Sequence, residues 1–257
     1  MTTFAVTVQK PVIAGNWKMH KGPLEAREFF ASFLSAHAPR DDRAVIFFPP
    51  AISFAAAAEA VRDRPDLLLG VQNIHWEPKG AFTGEISAAM AAEAGAAFAL
   101  VGHSERRHIF KETDEDVRRK TAAALAAGIV PVICLGETIQ EREAGRVEEV
   151  IVRQLDAALD GLAPSEAAVT LIAYEPVWAI GTGVNATPED AAHAHGVLRS
   201  RLAERIGEDA ARNVPILYGG SVKPENAGAL LAAADVDGLL VGGASLEPRA
   251  FAAIAGV

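Results

Sequence analysis

A closed (β/α)8 barrel, of the α/β class, is the fold this sequence predicts, and three observations carry the prediction. Eight short apolar runs recur along the chain, and each is followed by a polar turn and a helical pattern. The runs are apolar throughout rather than alternating, as strands of a parallel sheet buried on both faces must be. The length of 257 residues suits one domain, spanning 1–257, with ample chain for a large core. A doubly wound open sheet is the alternative if one or two of the runs are not strands; eight units in this length favour closure.

Taken in order, the runs are Val12–Gly15, Ala44–Phe48, Leu67–Val71, Phe98–Val101, Ile129–Leu135, Ala168–Ala173, Val214–Leu217 and Gly238–Val241. The stretches between them carry Ala/Leu faces and helix-end signals. Thr187-Pro188-Glu189 reads as an N-cap, a proline in the first turn and an acid beside the positive helix end. Ala126-Ala127-Gly128 reads as a helix stop before the next strand. In a barrel of this kind the chemistry sits at the C-terminal strand ends. Asn16, Lys18, His103, Glu175, Gly219-Gly220-Ser221 and Gly242-Gly243 all follow runs at that end.

Composition narrows the partners. A formal charge of −9 argues against nucleic acid or an anionic membrane as the main partner, since both need a basic face. A small pocket on an acidic protein can still be locally positive and take an anion. Cys134 is the sole cysteine, so no intrachain disulfide forms, and a reducing compartment, the cytoplasm, is expected. The N-terminus has no basic stretch leading into a long apolar run, so no signal peptide is expected. The most apolar stretch, Ala122–Gly136, is broken by Gly128 and Pro131 and is not expected to span a membrane.

Two glycine-rich turns stand out, Tyr218-Gly219-Gly220-Ser221 and Val241-Gly242-Gly243-Ala244-Ser245. Glycine lets backbone N–H groups approach a phosphate closely, and the turns after the seventh and eighth strands are where barrels commonly bind one. Tight strand-to-helix turns would use the same residues. Glu175 ends an apolar strand and leads into Pro176–Gly183, so it reads either as a carboxylate desolvated when that segment closes or as a helix cap or ion-pair partner. His103 follows a strand where a short helix begins, and a helix start favours the neutral ring, which can donate to a carbonyl oxygen. Asn16 and Lys18 share an orientation if the first strand continues, placing an amide beside a cation; a solvated lysine is the plainer reading.

Other features point away from chemistry. His193 and His195 are two apart on a helix and do not share a face, and His103 and His108 have no further ligand at metal spacing, so no metal site is expected. His20, His37, His75, His193 and His195 read as surface or packing residues. Gly181-Thr182-Gly183-Val184-Asn185-Ala186 fits a dinucleotide fingerprint, but it lies too far from its strand and the helix starts later, at Thr187-Pro188. Cys134 reads as a buried, unreactive thiol.

Several longer segments together resemble the triosephosphate isomerase family. They are Gly15-Asn16-Trp17-Lys18-Met19, Gly80-Ala81-Phe82-Thr83-Gly84-Glu85, Gly102-His103-Ser104-Glu105-Arg106-Arg107, Tyr174 through Gly183, and the two glycine turns. The resemblance covers nearly the whole chain. It implies a cofactor-free, metal-free isomerase of a small phosphorylated triose, with Glu175 as the base and His103 as the electrophile. Lys18 and Asn16 would stabilise an enediolate, with Glu105 orienting Lys18. Gly181, Ser221, Gly242 and Gly243 would hold the phosphate. It also implies a homodimer through the Gly80–Glu85 loop, with Thr83 near the partner's Asn16 and the partner's Lys18. The sequence departs from the family pattern at His20, where asparagine is usual, and at Val184-Asn185-Ala186, where Lys-Thr-Ala is usual. The rival readings are another phosphate-binding barrel enzyme and a non-catalytic sugar-phosphate binder.

Overall fold

The protein is described by a computed structural model over residues 8–179 and 186–257. Eight parallel strands close into one barrel in sequence order. They are β1 (Val12–Asn16), β2 (Ala44–Phe48), β3 (Leu67–Val71), β4 (Phe98–Val101), β5 (Val130–Leu135), β6 (Leu171–Tyr174), β7 (Ile216–Tyr218) and β8 (Gly238–Val241). Closure is made where β8 pairs with β1, from Val12 opposite Gly238 to Gly15 opposite Val241. The open-sheet alternative is thereby excluded.

Three strands start later than their apolar runs. Ile129 donates to the Ala124 carbonyl and so ends the helix Asp114–Ala126. Ala168 closes the short helix Pro164–Ala167, and the Thr170 hydroxyl donates to the Ala167 carbonyl. Val214 likewise caps Glu208–Asn213. In each case an apolar residue finishes off a helix end rather than opening a strand; Ile129 and Val214 are buried there and Ala168 is half-buried. Both helix-end signals are present: the Thr187 hydroxyl accepts from the Asp190 N–H at 3.1 Å, and Gly128 follows its helix at φ 76°.

Each strand alternates between two cores. Val12, Ala14, Ile46, Phe48, Leu171 and Ala173 are among the residues that fill the barrel interior. Their neighbours Ile13, Val45, Phe47, Ile172 and Tyr174 face outward and pack under the helices. The residues of one strand thus serve both layers, which is why the runs show no polar alternation. On the outer side, Trp17 and Phe47 meet Phe29, Phe30 and Phe33 of helix Pro23–Ala36, with ring centroids 4.7–6.2 Å apart. Inside, Gly70 makes room for a large ring, since a Cβ there would sit 2.3 Å from the Phe48 phenyl.

Helix Pro188–Ile206 lies against this frame through His195, which is fully buried. Its Nδ1 lies 3.0 Å from the Asp235 carbonyl and so carries the proton, while Nε2 is buried without a partner. Burial, with Arg199 nearby, pushes the ring's pKa down to about 4 although Asp235 and Asp237 pull the other way. The unfolded chain therefore takes up a proton near pH 6.5 that the folded chain refuses until about pH 4. Stability is complete above the upper value and falls as pH drops through that window, by about 3 kcal/mol. Urea titrations between pH 7 and 4 should show this decline, and His195→Gln should flatten it.

Candidate active site

The alternation that fills the barrel also decides what rises from its mouth. Extending the interior positions of β1 and β6 by two residues gives Asn16 and Glu175; β7 and β8 give Gly219 and Gly242. Asn16 and Glu175 are 5% and 2% exposed, respectively, at the C-terminal rim. His103 stands at the N-cap of the single-turn helix Ser104–His108, after β4.

These side chains form one connected group. His103 Nε2 lies 3.0 Å from Glu175 Oε1, and the Ser104 N–H donates to Glu175 Oε2 at 2.8 Å. Lys18 Nζ lies 2.5 Å from Glu105 Oε1. The Lys18 N–H donates to Asn16 Oδ1 at 3.0 Å, so the amide and the cation are fixed to one another. Burial opposes charge on Glu175, but His103, the Ser104 N–H and Lys18 outweigh it and hold the carboxyl below its usual range. On His103, burial opposes the charged ring and the Glu175 carboxylate overcomes it, so its pKa is raised. The helix start alone would favour the neutral ring, and the carboxylate reverses that preference while it is in contact. The Glu105 N–H still donates to Nδ1 at 3.3 Å, which leaves Nε2 as the nitrogen that carries the proton of a neutral ring.

Asn16, Lys18, His103 and Glu175 line a cavity of about 510 Å³ whose opposite wall is made by Gly219–Ser221 and Gly242–Gly243. The two glycine turns differ in what they need. A Cβ on Gly219 would sit 2.9 Å from Glu175 Cγ, and one on Gly220 would sit 2.1 Å from the Tyr218 hydroxyl. Packing alone explains those two. Among the described residues, a Cβ on Gly243 meets nothing within 4 Å, so no described neighbour requires glycine there.

Most of the residues singled out in the sequence therefore meet in one place. Gly181 is not among them, because it lies outside the described residues, as do the fingerprint through Asn185 and the departure at Val184. His20, read as a surface or packing residue, is exposed but lines the cavity at its mouth. His37 and His195 are buried packing residues, and His193 is exposed beside Glu148. Cys134 faces the barrel interior, where burial pushes its thiol pKa well up. Among the described residues, no group of three His, Cys, Asp or Glu side chains is placed to hold a metal ion. No described helix is long and apolar enough to cross a membrane.

Sequence reasoning missed two polar residues beside the site. Glu137, fully buried, accepts from Trp178 Nε1 at 2.7 Å and from the Tyr174 hydroxyl at 3.0 Å. Burial nevertheless pushes its carboxyl up. Gln72 donates to two main-chain carbonyls near Lys18. Strand parity would have found Gln72, since it is the next interior position after Leu68 and Gly70. Nothing local marks Glu137.

Comparison with known families fits this geometry. The family profile for triosephosphate isomerase matches residues 11–257. The chain belongs to the triosephosphate isomerase family. A triosephosphate isomerase of Symbiobacterium thermophilum is 49% identical over 247 residues, covering 96% of both chains. One of Solibacter usitatus is 47% identical, covering 96% of this chain and 99% of its own. One of Chloroflexus aurantiacus is 48% identical over 241 residues, covering 94% of this chain and 96% of its own.

The contrast between glycines yields a test. Gly243→Ala should leave the melting temperature unchanged and, if backbone N–H groups at this wall take an anion, weaken inorganic phosphate binding roughly tenfold. Gly220→Ala should instead cost about 1–3 kcal/mol of stability by overpacking against Tyr218. Calorimetry for binding and thermal melts separate the two.

Proposed function

We propose that the protein interconverts dihydroxyacetone phosphate and D-glyceraldehyde 3-phosphate through an enediolate, with Glu175 as the base. The observation that carries this reading is a buried carboxylate in contact with an imidazole, in one cavity with Gly243, which no described neighbour requires to be glycine. Glu175 removes a proton from C1 of the ketone, and the C–H electrons move toward the C2 carbonyl oxygen. His103 donates from Nε2 to that oxygen and carries protons between the two oxygens. Glu175 then returns its proton at C2. The proton is recycled, so the reaction as a whole is redox-neutral.

These contacts hold Glu175 as a weak base. Two donors, His103 and the Ser104 N–H, now occupy the Glu175 carboxylate and make it weak. To reach a substrate carbon it must exchange them for a C–H bond in a site with less water, and both changes raise its basicity. His103, relieved of the carboxylate, reverts to the neutral donor that the Glu105 N–H on Nδ1 favours. Lys18 and Asn16 stabilise the enediolate oxygens, and Lys18 also attracts the substrate phosphate. Ser221, Gly242 and Gly243 hold that phosphate, with Gly181 completing the cradle by family resemblance.

The same reading includes a homodimer. Ala81–Glu85 are exposed, and Phe82 packs on His75 at 4.4 Å between ring centroids. Beside Lys18 and His103 lies a second cavity of about 230 Å³, lined in part by Met19 and Phe110. Those two are 93% and 67% exposed. An apolar hollow next to the catalytic group suits the partner's Phe82–Thr83 tip, whose arrival would remove water from beneath Lys18.

Glu175→Gln should lower kcat by about 10²–10⁴-fold or more in a coupled triose-phosphate assay while inorganic phosphate still binds. Near-parental turnover would refute the base. Deleting 81–84 should give a weakly active monomer by sedimentation, and a fully active monomer would refute the role of the loop.

A further inference from the structure

We infer that Gln72 is a positioning residue for Lys18, acting on its main chain; the inference rests on the role proposed above for the Lys18 cation. Lys18 has φ 52°, in the left-handed region that a non-glycine residue adopts only when its surroundings impose it. Its side chain is aimed by that backbone. If Lys18 relaxed to an ordinary conformation, Nζ would leave both Glu105 and the cavity.

Three contacts hold the strained residue. The Lys18 N–H donates to Asn16 Oδ1 at 3.0 Å, and Nζ pairs with Glu105 Oε1 at 2.5 Å. The third is the Lys18 carbonyl, which accepts from Gln72 Nε2 at 2.8 Å. Among the described residues, Gln72 is the one side chain that donates to this oxygen. Its second amide hydrogen goes to the Phe48 carbonyl, also at 2.8 Å, where β2 ends. That oxygen already accepts from the Trp17 N–H at 3.1 Å. Both protons of one planar amide thus tie the main chain of Lys18 to the rim of the barrel.

Gln72 is itself anchored from behind. It is the third interior position of its strand, after Leu68 and Gly70, so the barrel's own alternation sends it to the mouth. The next residue, Asn73, accepts from Lys120 Nζ at 2.7 Å, and Lys120 pairs at 2.7 Å with the buried Glu112. Glu112 also accepts from the Gly102 N–H at 3.1 Å, immediately before His103. Gln72-Asn73 therefore joins the loop that carries the cation to the loop that carries the imidazole, although neither residue touches the Glu175–His103 pair.

The test is a double-mutant cycle with Lys18. Gln72→Met keeps length and apolar contact while removing both donors; Phe48 retains its bond from Trp17, and only the Lys18 carbonyl is left without one. Gln72→Met should lower kcat/KM about tenfold, with KM raised as well as kcat lowered, because Lys18 meets charge in both the bound and the transition states. Melting temperature and sedimenting mass should match the parent. In a Lys18→Ala background the same change should alter kcat/KM by less than about twofold, since the ammonium it positions is gone. Parental kinetics in Gln72→Met, while Lys18→Ala is impaired, would overturn this inference alone. An equal tenfold loss in both backgrounds, or a loss that tracks a lower mass, would also overturn it. Parental activity in Lys18→Ala would remove the role of the cation and the inference with it. If Gln72→Met melts below the parent, Gln72→Leu, uncharged and likewise without donors, repeats the comparison with the same outcomes.

Discussion

The structure depends on a geometric constraint: a closed ring of eight strands in which successive residues must face in opposite directions. Once β8 pairs with β1 there is no free edge, and the register of every strand is fixed by its two neighbours. The facing of each residue is then settled for the whole strand. Ala14 inside implies Asn16 at the rim, and Ala173 inside implies Glu175. The chemistry is placed by the same rule that packs the hydrophobic interior, so slipping β6 by one residue would turn Glu175 outward and Tyr174 into the barrel.

Placing charge at that rim costs solvation, and the site offsets the cost by mutual contact. Glu175 is almost wholly buried, yet it keeps its charge because His103 and a main-chain N–H face it. Lys18 is only partly exposed and sits against Glu105. Behind them Glu112 is held below its usual pKa range by Lys120 and Arg106 against the effect of burial. These pairs add little net stability, since desolvation consumes most of the attraction between partners. What they supply is a fixed direction for each group, and removing one partner would strand the other in a poor solvent.

How much of this could be read in the sequence follows from how local each cause is. The strands were legible because burial on both faces writes itself directly into an apolar run. The starts of β5, β6 and β7 were not, because Ile129, Ala168 and Val214 are equally apolar whether they close a helix or open a strand. Asn16, Lys18, His103 and Glu175 were legible as polar residues at the ends of such runs. The glycine turns were ambiguous in one dimension and are separable in three: Gly219 and Gly220 are required by Glu175 and Tyr218, whereas Gly243 is required by no described neighbour. Glu137 and Glu112 were silent, since their burial depends on Trp178, Lys120 and Gly102, and the Trp178 and Gly102 partners lie 41 and 10 positions away.

One consequence comes from the position of the single cysteine. Cys134 belongs to the interior layer, with strands on every side and a thiol whose ionisation burial suppresses. It is wholly shielded from solvent, in the interior layer beneath Glu175, whose charge it feels. The chain therefore carries its own chemical clock. The speed at which this one sulfur becomes available to an electrophile measures how often the interior of the ring opens.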